Sequence, residues 1–160
     1  MIRHTNSVEI IEYQPRYKDA FKLLNYEWLE KYFYVEKIDS EVLSKPEHYF
    51  INKGGYIFFA KYNDDIVGTS ALFKHKDEGF ELTKMAVTEK FQGLKIGEKL
   101  ALAAIDKARS LGVKSLFLET NSKLLPAIKL YKKLGFKPEK YPNSKSEHYQ
   151  RADTYMLFEF

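Results

Sequence analysis

The stretch ELTKMAVTEKFQGLKIG, residues 81–97, decides the fold. Its first seven residues read as a buried β-strand, Thr88-Glu89-Lys90 as a polar turn, and the remainder as a loop that brings Gly93 and Gly97 to the mouth of a helix. The first N–H groups of a helix have no partner within it, and the macrodipole adds partial positive charge there. Such a place receives phosphate. A strand that leads to a helix mouth and begins at a carboxylate, Glu81, points to group transfer from a nucleotide-like donor.

Working outward, the spacing of Leu100, Ala104, Ile105, Ala108 and Leu111 predicts a helix over 97–111 with these residues facing inward, stopped by Gly112. SLFLET, residues 115–120, is a strand. A helix over 124–134 follows, with Pro126 near its start and Gly135 at its end. A short strand at 136–138 and an alternating one at 153–160 close the sheet. Upstream, residues 56–62 and 66–74 flank the turn signal Asn63-Asp64-Asp65 and form a hairpin, and residues 80–87 continue the meander. At the N-terminal end, residues 8–14 read as a strand and 17–34 as a helix with Ala20, Leu23, Leu24, Trp28 and Leu29 on its apolar face. Asp39 or Ser40 caps a second helix through Leu43, and Pro46 opens a further helical turn that ends at the Lys53-Gly54-Gly55 breaker. The element order is β-α-α-β-β-β-α-β-α-β-β.

The chain has 160 residues, 44% hydrophobic and 30% charged, with net charge +4. That composition fits a single folded domain, residues 1–160, rather than a disordered chain. The mild positive balance suits an anionic ligand, but no dense basic tract argues for nucleic acid. With no cysteine, disulfides, thiolate zinc sites and a cysteine nucleophile are excluded. The four histidines His4, His48, His75 and His148 show no ligand spacing and read as surface residues, so no metal is expected. No apolar run is long enough to span a membrane, and the start MIRHTNSVEI does not read as a secretory leader. A cytoplasmic location without membrane partners is the expectation.

Two motifs, VTEKFQGLKIGEKL (87–100) and PAIKLYKKLGF (126–136), occur in this order. On them the chain resembles the GCN5-related N-acetyltransferase (GNAT) superfamily. The resemblance implies an α/β (α+β) fold: a mixed, mostly antiparallel central sheet of six to seven strands with about four helices on its faces. It also implies acetyl-CoA as cosubstrate, held by a core over residues 80–136, with acceptor-side helices over 17–55. Met85, Ala86 and Val87 match the strand whose backbone pairs with the pantetheine amides. Gln92, Gly93, Leu94, Lys95, Ile96 and Gly97 match the loop that wraps the pyrophosphate. Lys95 departs from the pattern, standing where the family has its middle glycine. If that position needs positive φ, lysine costs roughly 1 kcal/mol or more; its ammonium points either to solvent or to a phosphate.

The resemblance further implies a role for Tyr131 as the general acid that protonates the departing thiolate. Without it, Tyr131 reads first as a core residue on the face it shares with Ala127 and Leu134. Glu81 matches the strand glutamate that draws a proton from the acceptor amine in many relatives, with Glu119 or a water as rivals. Ala127 matches the second motif, but Leu124 stands where the family often has asparagine. The nearby Asn121 either caps the following helix or bonds pantetheine or a catalytic water. The acceptor is an amine of a small molecule or peptide. Its wall is expected from residues 17–55 and 141–151, with Trp28, Tyr32, Phe33, Tyr34, Tyr49 and Tyr149 as apolar surface and Glu30, Glu36 and Glu147 as attractors. The ending YMLFEF offers a strand to a second copy, so the chain is expected to be a monomer or homodimer. A non-catalytic acyl-CoA sensor is the alternative reading.

Overall fold

The computed structural model describes residues 7–76, 79–142 and 149–160. Among these, seven strands form one sheet: β1 (Val8–Glu12), β2 (Tyr56–Tyr62), β3 (Asp65–His75), β4 (Gly79–Val87), β5 (Ser115–Thr120), β6 (Lys137–Glu139) and β7 (Thr154–Glu159). Their spatial order is β1-β2-β3-β4-β5-β7-β6. Every neighbouring pair is antiparallel except β4 and β5, which run parallel. The five α-helices are α1 (Lys18–Tyr32), α2 (Lys37–Ser44), α3 (Pro46–Tyr49), α4 (Ile96–Ser110) and α5 (Leu125–Leu134). The α4 helix supplies the crossover that a parallel pair requires. Among the described residues, no helix is long and apolar enough to cross a membrane.

The sheet separates two cores. Alternation along β2 sends Ile57 and Phe59 toward α1–α3, where they meet Phe21, Leu29, Leu43 and Phe50. It sends Phe58 and Ala60 to the opposite face, where Leu100, Ala104 and Ile105 of α4 pack with Tyr131 of α5. Full burial of a side chain such as Leu100 contributes about 2 kcal/mol, and the apolar stripe of α4 gathers several. The β2–β3 hairpin closes through two residues, because Tyr62 pairs with Asp65. Asn63 adopts φ 54° there, a conformation asparagine tolerates better than most residues.

One irregularity in β4 shapes everything that follows. Opposite β3 the register runs Thr69↔Ala86 and then Ala71↔Thr83. The extra residue is a β-bulge, and Lys84 within it takes φ 54°. Before the bulge, Phe80 and Leu82 face the α4 core; after it, Met85 and Val87 do. The bulge therefore resets the inside-outside phase of the strand.

Several expectations need correction. The α2 helix starts at Lys37 with Glu36 as its N-cap, not Asp39 or Ser40. Asp39 instead sits in the first turn and accepts the Glu36 N–H at 2.9 Å. Leu111 lies past the end of α4 and is 42% exposed rather than inward-facing. The YMLFEF strand is no edge: β5 and β6 flank it on both sides. His4, Glu147 and His148 lie outside the described residues.

Gly135 ends α5 as the sequence implies. Its φ is 117°, and Phe136 N–H bonds the Tyr131 carbonyl at 2.9 Å, the six-to-one bond of a Schellman cap. A methyl added there would stand 2.8 Å from the Phe158 ring. Gly135→Ala combines left-handed strain with this clash and is expected to cost about 2–3 kcal/mol, read as a lowered urea midpoint with unchanged slope.

Candidate active site

Strands β4 and β5 pair only at Phe80↔Leu116 and Glu81↔Phe117. Beyond these the two strands part. The opening is a cleft of about 640 Å3, lined by residues 81–87 of β4, residues 118–121 at the end of β5, and Ala127 and Tyr131 of α5. Trp28 and Tyr32 of α1, with Phe33 at its C-cap, form a further wall together with Tyr149 and Arg151. A strand edge that has lost its neighbour presents backbone donors and acceptors to whatever enters.

The cleft reaches Gln92, whose side-chain amide donates to the Val87 carbonyl at 3.0 Å and folds the loop back on the strand. From there Gly93 (φ 83°) and Lys95 (φ 63°) both turn left-handed, and Lys95 is the N-cap of α4. The first helical bond runs from Lys99 N–H to the Lys95 carbonyl. The N–H groups of Ile96, Gly97 and Glu98 therefore lack helical partners. A methyl at Gly93 would meet no atom within 4 Å, and one at Gly97 only Leu130 at 3.9 Å, so the protein's own packing does not demand glycine at Gly97. Loop geometry, free amides and open space suit a phosphate group. The loop itself is braced by α1: Glu27 accepts from the Thr88 hydroxyl and the Glu89 N–H, and Lys31 pairs with Glu89 at 3.0 Å.

At the other end of the cleft, Glu81 is 7% exposed, and its Oε1 lies 2.7 Å from Nε2 of His75. Sequence reading treated His75 as a surface residue; it is half-buried in this pair. Glu119 lies on the wall formed by β5, close to Tyr141, whose hydroxyl is pushed up first by burial and then by the Glu119 charge. Tyr131 is 9% exposed, and burial raises its hydroxyl to about 12.

Asn121 does not cap α5. Its amide donates to the Arg151 carbonyl at 2.6 Å, and its Oδ1 accepts from Lys123 N–H; the α5 N-cap is Leu124, without a side-chain bond. In sum, Glu81, Met85, Ala86, Val87, Gln92, Asn121, Ala127 and Tyr131 line one cleft. Gly93, Leu94, Lys95, Ile96 and Gly97 continue from its end around the helix mouth. Tyr34 and Tyr49 are not part of its lining; their hydroxyls bond Gln150 and Glu41.

Sequence reading missed a buried charge cluster in the cleft wall. Lys84 donates to Asp39 at 3.1 Å and to the Tyr149 hydroxyl. Arg151 grips Asp39 through both terminal nitrogens, at 2.7 and 2.9 Å, and reaches Glu36 at 3.0 Å. The Tyr149 ring packs on both cations, 4.1 Å from the Lys84 ammonium and 4.3 Å from the Arg151 guanidinium. Two cations balance two carboxylates, so Glu36 is spent inside the wall rather than offered to an amine. Burial works to raise the Asp39 carboxyl, but the Arg151 hydrogen bonds and the Lys84 charge outweigh it and hold the group below its ordinary value. Arg151 is opposed by burial and raised, on balance, by Asp39. The only advance signal was a lysine directly after Thr83, which breaks the alternation of the strand. Among the described residues, no cluster of three histidines or carboxylates able to hold a metal is present.

The architecture is that of solved acetyltransferases. A GNAT-family acetyltransferase from Staphylococcus aureus superposes with TM-score 0.85 at 26% identity, over 96% of this chain and 99% of that one. The protein yncA of Salmonella typhimurium, solved with acetyl-CoA, shares the fold at TM-score 0.76 and 20% identity, over 96% and 94% of the two chains. An uncharacterised N-acetyltransferase of Schizosaccharomyces pombe is 29% identical over 127 residues, 77% of this chain and 78% of that protein. The model of the acetyltransferase (GNAT) family matches residues 22–136, and the chain belongs to that family of N-acetyltransferases.

Two outcomes follow from this geometry. Asp39→Ala strands two buried cations and is expected to cost about 3–5 kcal/mol by urea denaturation. In the parent protein the Asp39 contribution, full above the unfolded carboxyl value of about 4, should fade as pH falls below it. Lys95→Gly removes left-handed strain and is expected to raise stability by about 1 kcal/mol, read from the same denaturation curves.

Proposed function

We propose that this single-domain, cytoplasmic protein, as monomer or homodimer, transfers an acetyl group from acetyl-CoA to an amine of a small molecule or peptide. One observation carries the reading: β4 and β5 part directly after Glu81 and Phe117. That leaves an open strand edge running from a carboxylate to an anion-ready helix mouth. Acetyl-CoA supplies the thioester and a diphosphate.

The amides of Ile96 and Gly97 and the turn at Gly93 receive the diphosphate, and the free edge over Met85, Ala86 and Val87 pairs with the amides of the pantetheine arm. A backbone N–H near Val87 steadies charge on the thioester oxygen as the amine attacks. Glu81 accepts the proton the amine must lose, directly or through water. As the new C–N bond forms and the C–S bond breaks, Tyr131 gives its proton to the sulfur. A phenol near 12 keeps that proton at neutral pH. The burial that raises it also raises the basicity of a thiolate formed alongside, so donor and acceptor shift together. Ala127 leaves room above the tyrosine, and Asn121 holds the Arg151 segment in place.

Tyr131→Phe keeps the packing against Phe136 and removes only the hydroxyl. Turnover is expected to fall at least about 10-fold, measured as free thiol released from acetyl-CoA with an amine panel, while CoA affinity by calorimetry stays unchanged. Undiminished turnover would remove the acid role.

A further inference from the structure

On the antiparallel ladder of β3 and β4, Phe73 stands opposite Glu81 and His75 opposite Gly79. Residues 73, 75 and 81 therefore share one face of the sheet. The His75 ring is held between Phe73, with centroids 4.6 Å apart, and Phe117, at 5.2 Å. Its Nε2 lies 2.7 Å from Glu81 Oε1. Glu81 lines the cleft and His75 does not. The histidine side chain is 22% exposed against 9% for the glutamate. The imidazole thus backs the carboxylate from the side away from the cleft.

We propose that His75 is the positioning residue for Glu81 in acetyl transfer, a role that rests on Glu81 being the base. An ionised carboxylate can only accept hydrogen bonds, so Nε2 carries the hydrogen and donates to Oε1. That bond occupies one carboxylate oxygen and leaves Oε2 for the acceptor's proton. Two aromatic neighbours fix the plane of the imidazole, and the imidazole fixes the carboxylate. A base held this way meets its proton at the right distance on every encounter, and small misplacements of such a group cost large factors in rate. On the β5 side, the charges of Glu119 and Glu81 both reach the Tyr141 hydroxyl.

Two substitutions separate positioning from packing. His75→Phe keeps an aromatic ring between Phe73 and Phe117 but loses the donor. His75→Gln loses the ring but keeps an N–H near the Nε2 position. Each is assayed beside Glu81→Gln by thiol release from acetyl-CoA with amino acids, spermidine and a lysine peptide, and with water alone as the acyl acceptor. Positioning predicts that His75→Phe lowers kcat about 10-fold with KM for acetyl-CoA unchanged, while His75→Gln stays within about threefold of the parent. A phenylalanine variant as active as the glutamine variant, or more so, means that the ring only packs and overturns the proposal. Glu81→Gln at parental activity removes the base, and the proposal falls with it. A slow Glu81→Gln beside two fast His75 variants sinks the His75 role alone. Melting curves establish that each variant folds. In a histidine-labelled sample, the Nε2–H resonance should be protected in the parent and lost in Glu81→Ala, which has no acceptor; a parent without it overturns the proposal whether or not an acceptor is found.

Discussion

Two parallel strands that touch at only two residue pairs set the terms for the rest of this molecule. A sheet normally satisfies its backbone by pairing every strand along its length. Here β4 and β5 hold together at Phe80–Leu116 and Glu81–Phe117 and then separate. The separation is not left to chance. The bulge at Lys84 changes the phase of β4 as the strands part, so Met85 and Val87 still find the α4 core while the strand edge stays open. The lysine that makes the bulge is anchored on the other face by Asp39. Strand, helix mouth and cleft wall thus answer to one irregularity.

The two ends of the cleft are built on different physics. At the helix mouth the protein offers backbone amides and space, with Lys95 bearing the strain of a left-handed turn where a glycine would bear none. At the Glu81 end it offers side chains held by aromatic rings and hydrogen bonds. A group that binds a diphosphate gains from many weak, directional donors; a group that moves a proton gains from a single well-fixed one. In the proposed reaction, the division of labour between Gln92–Gly97 and Glu81–His75 follows that difference.

Local signals carried most of the fold. The hairpin at Asn63, the stop at Gly135, the α4 stripe and the order of the strands were readable because each rests on neighbours in sequence. The loop that opens α4 and the place of Tyr131 on the cleft were legible through two motifs, and the left-handed turn at Lys95 through the departure of that residue from its pattern. What escaped depends on distant partners. Lys84 reads as an ordinary polar residue in a strand until Asp39, 45 residues away, is placed beside it. His75 reads as a surface histidine until the meander folds it onto Glu81. The extra residue of a bulge leaves no mark on a strand whose alternation is already irregular. Helix capping failed for a subtler reason: Asp39 has the right chemistry for an N-cap but is employed one turn in.

The clasp between Asp39 and Arg151 joins positions 112 residues apart. Closing so long a loop costs chain entropy that only a nearly finished sheet can offset. The meander of β2, β3 and β4 assembles from short-range contacts, whereas this clasp must wait for β5 and β7. Among the contacts that build the molecule, the clasp is thus one of the costliest in loop closure. Breaking it would return that entropy to the chain while leaving the short-range pairings of the meander in place.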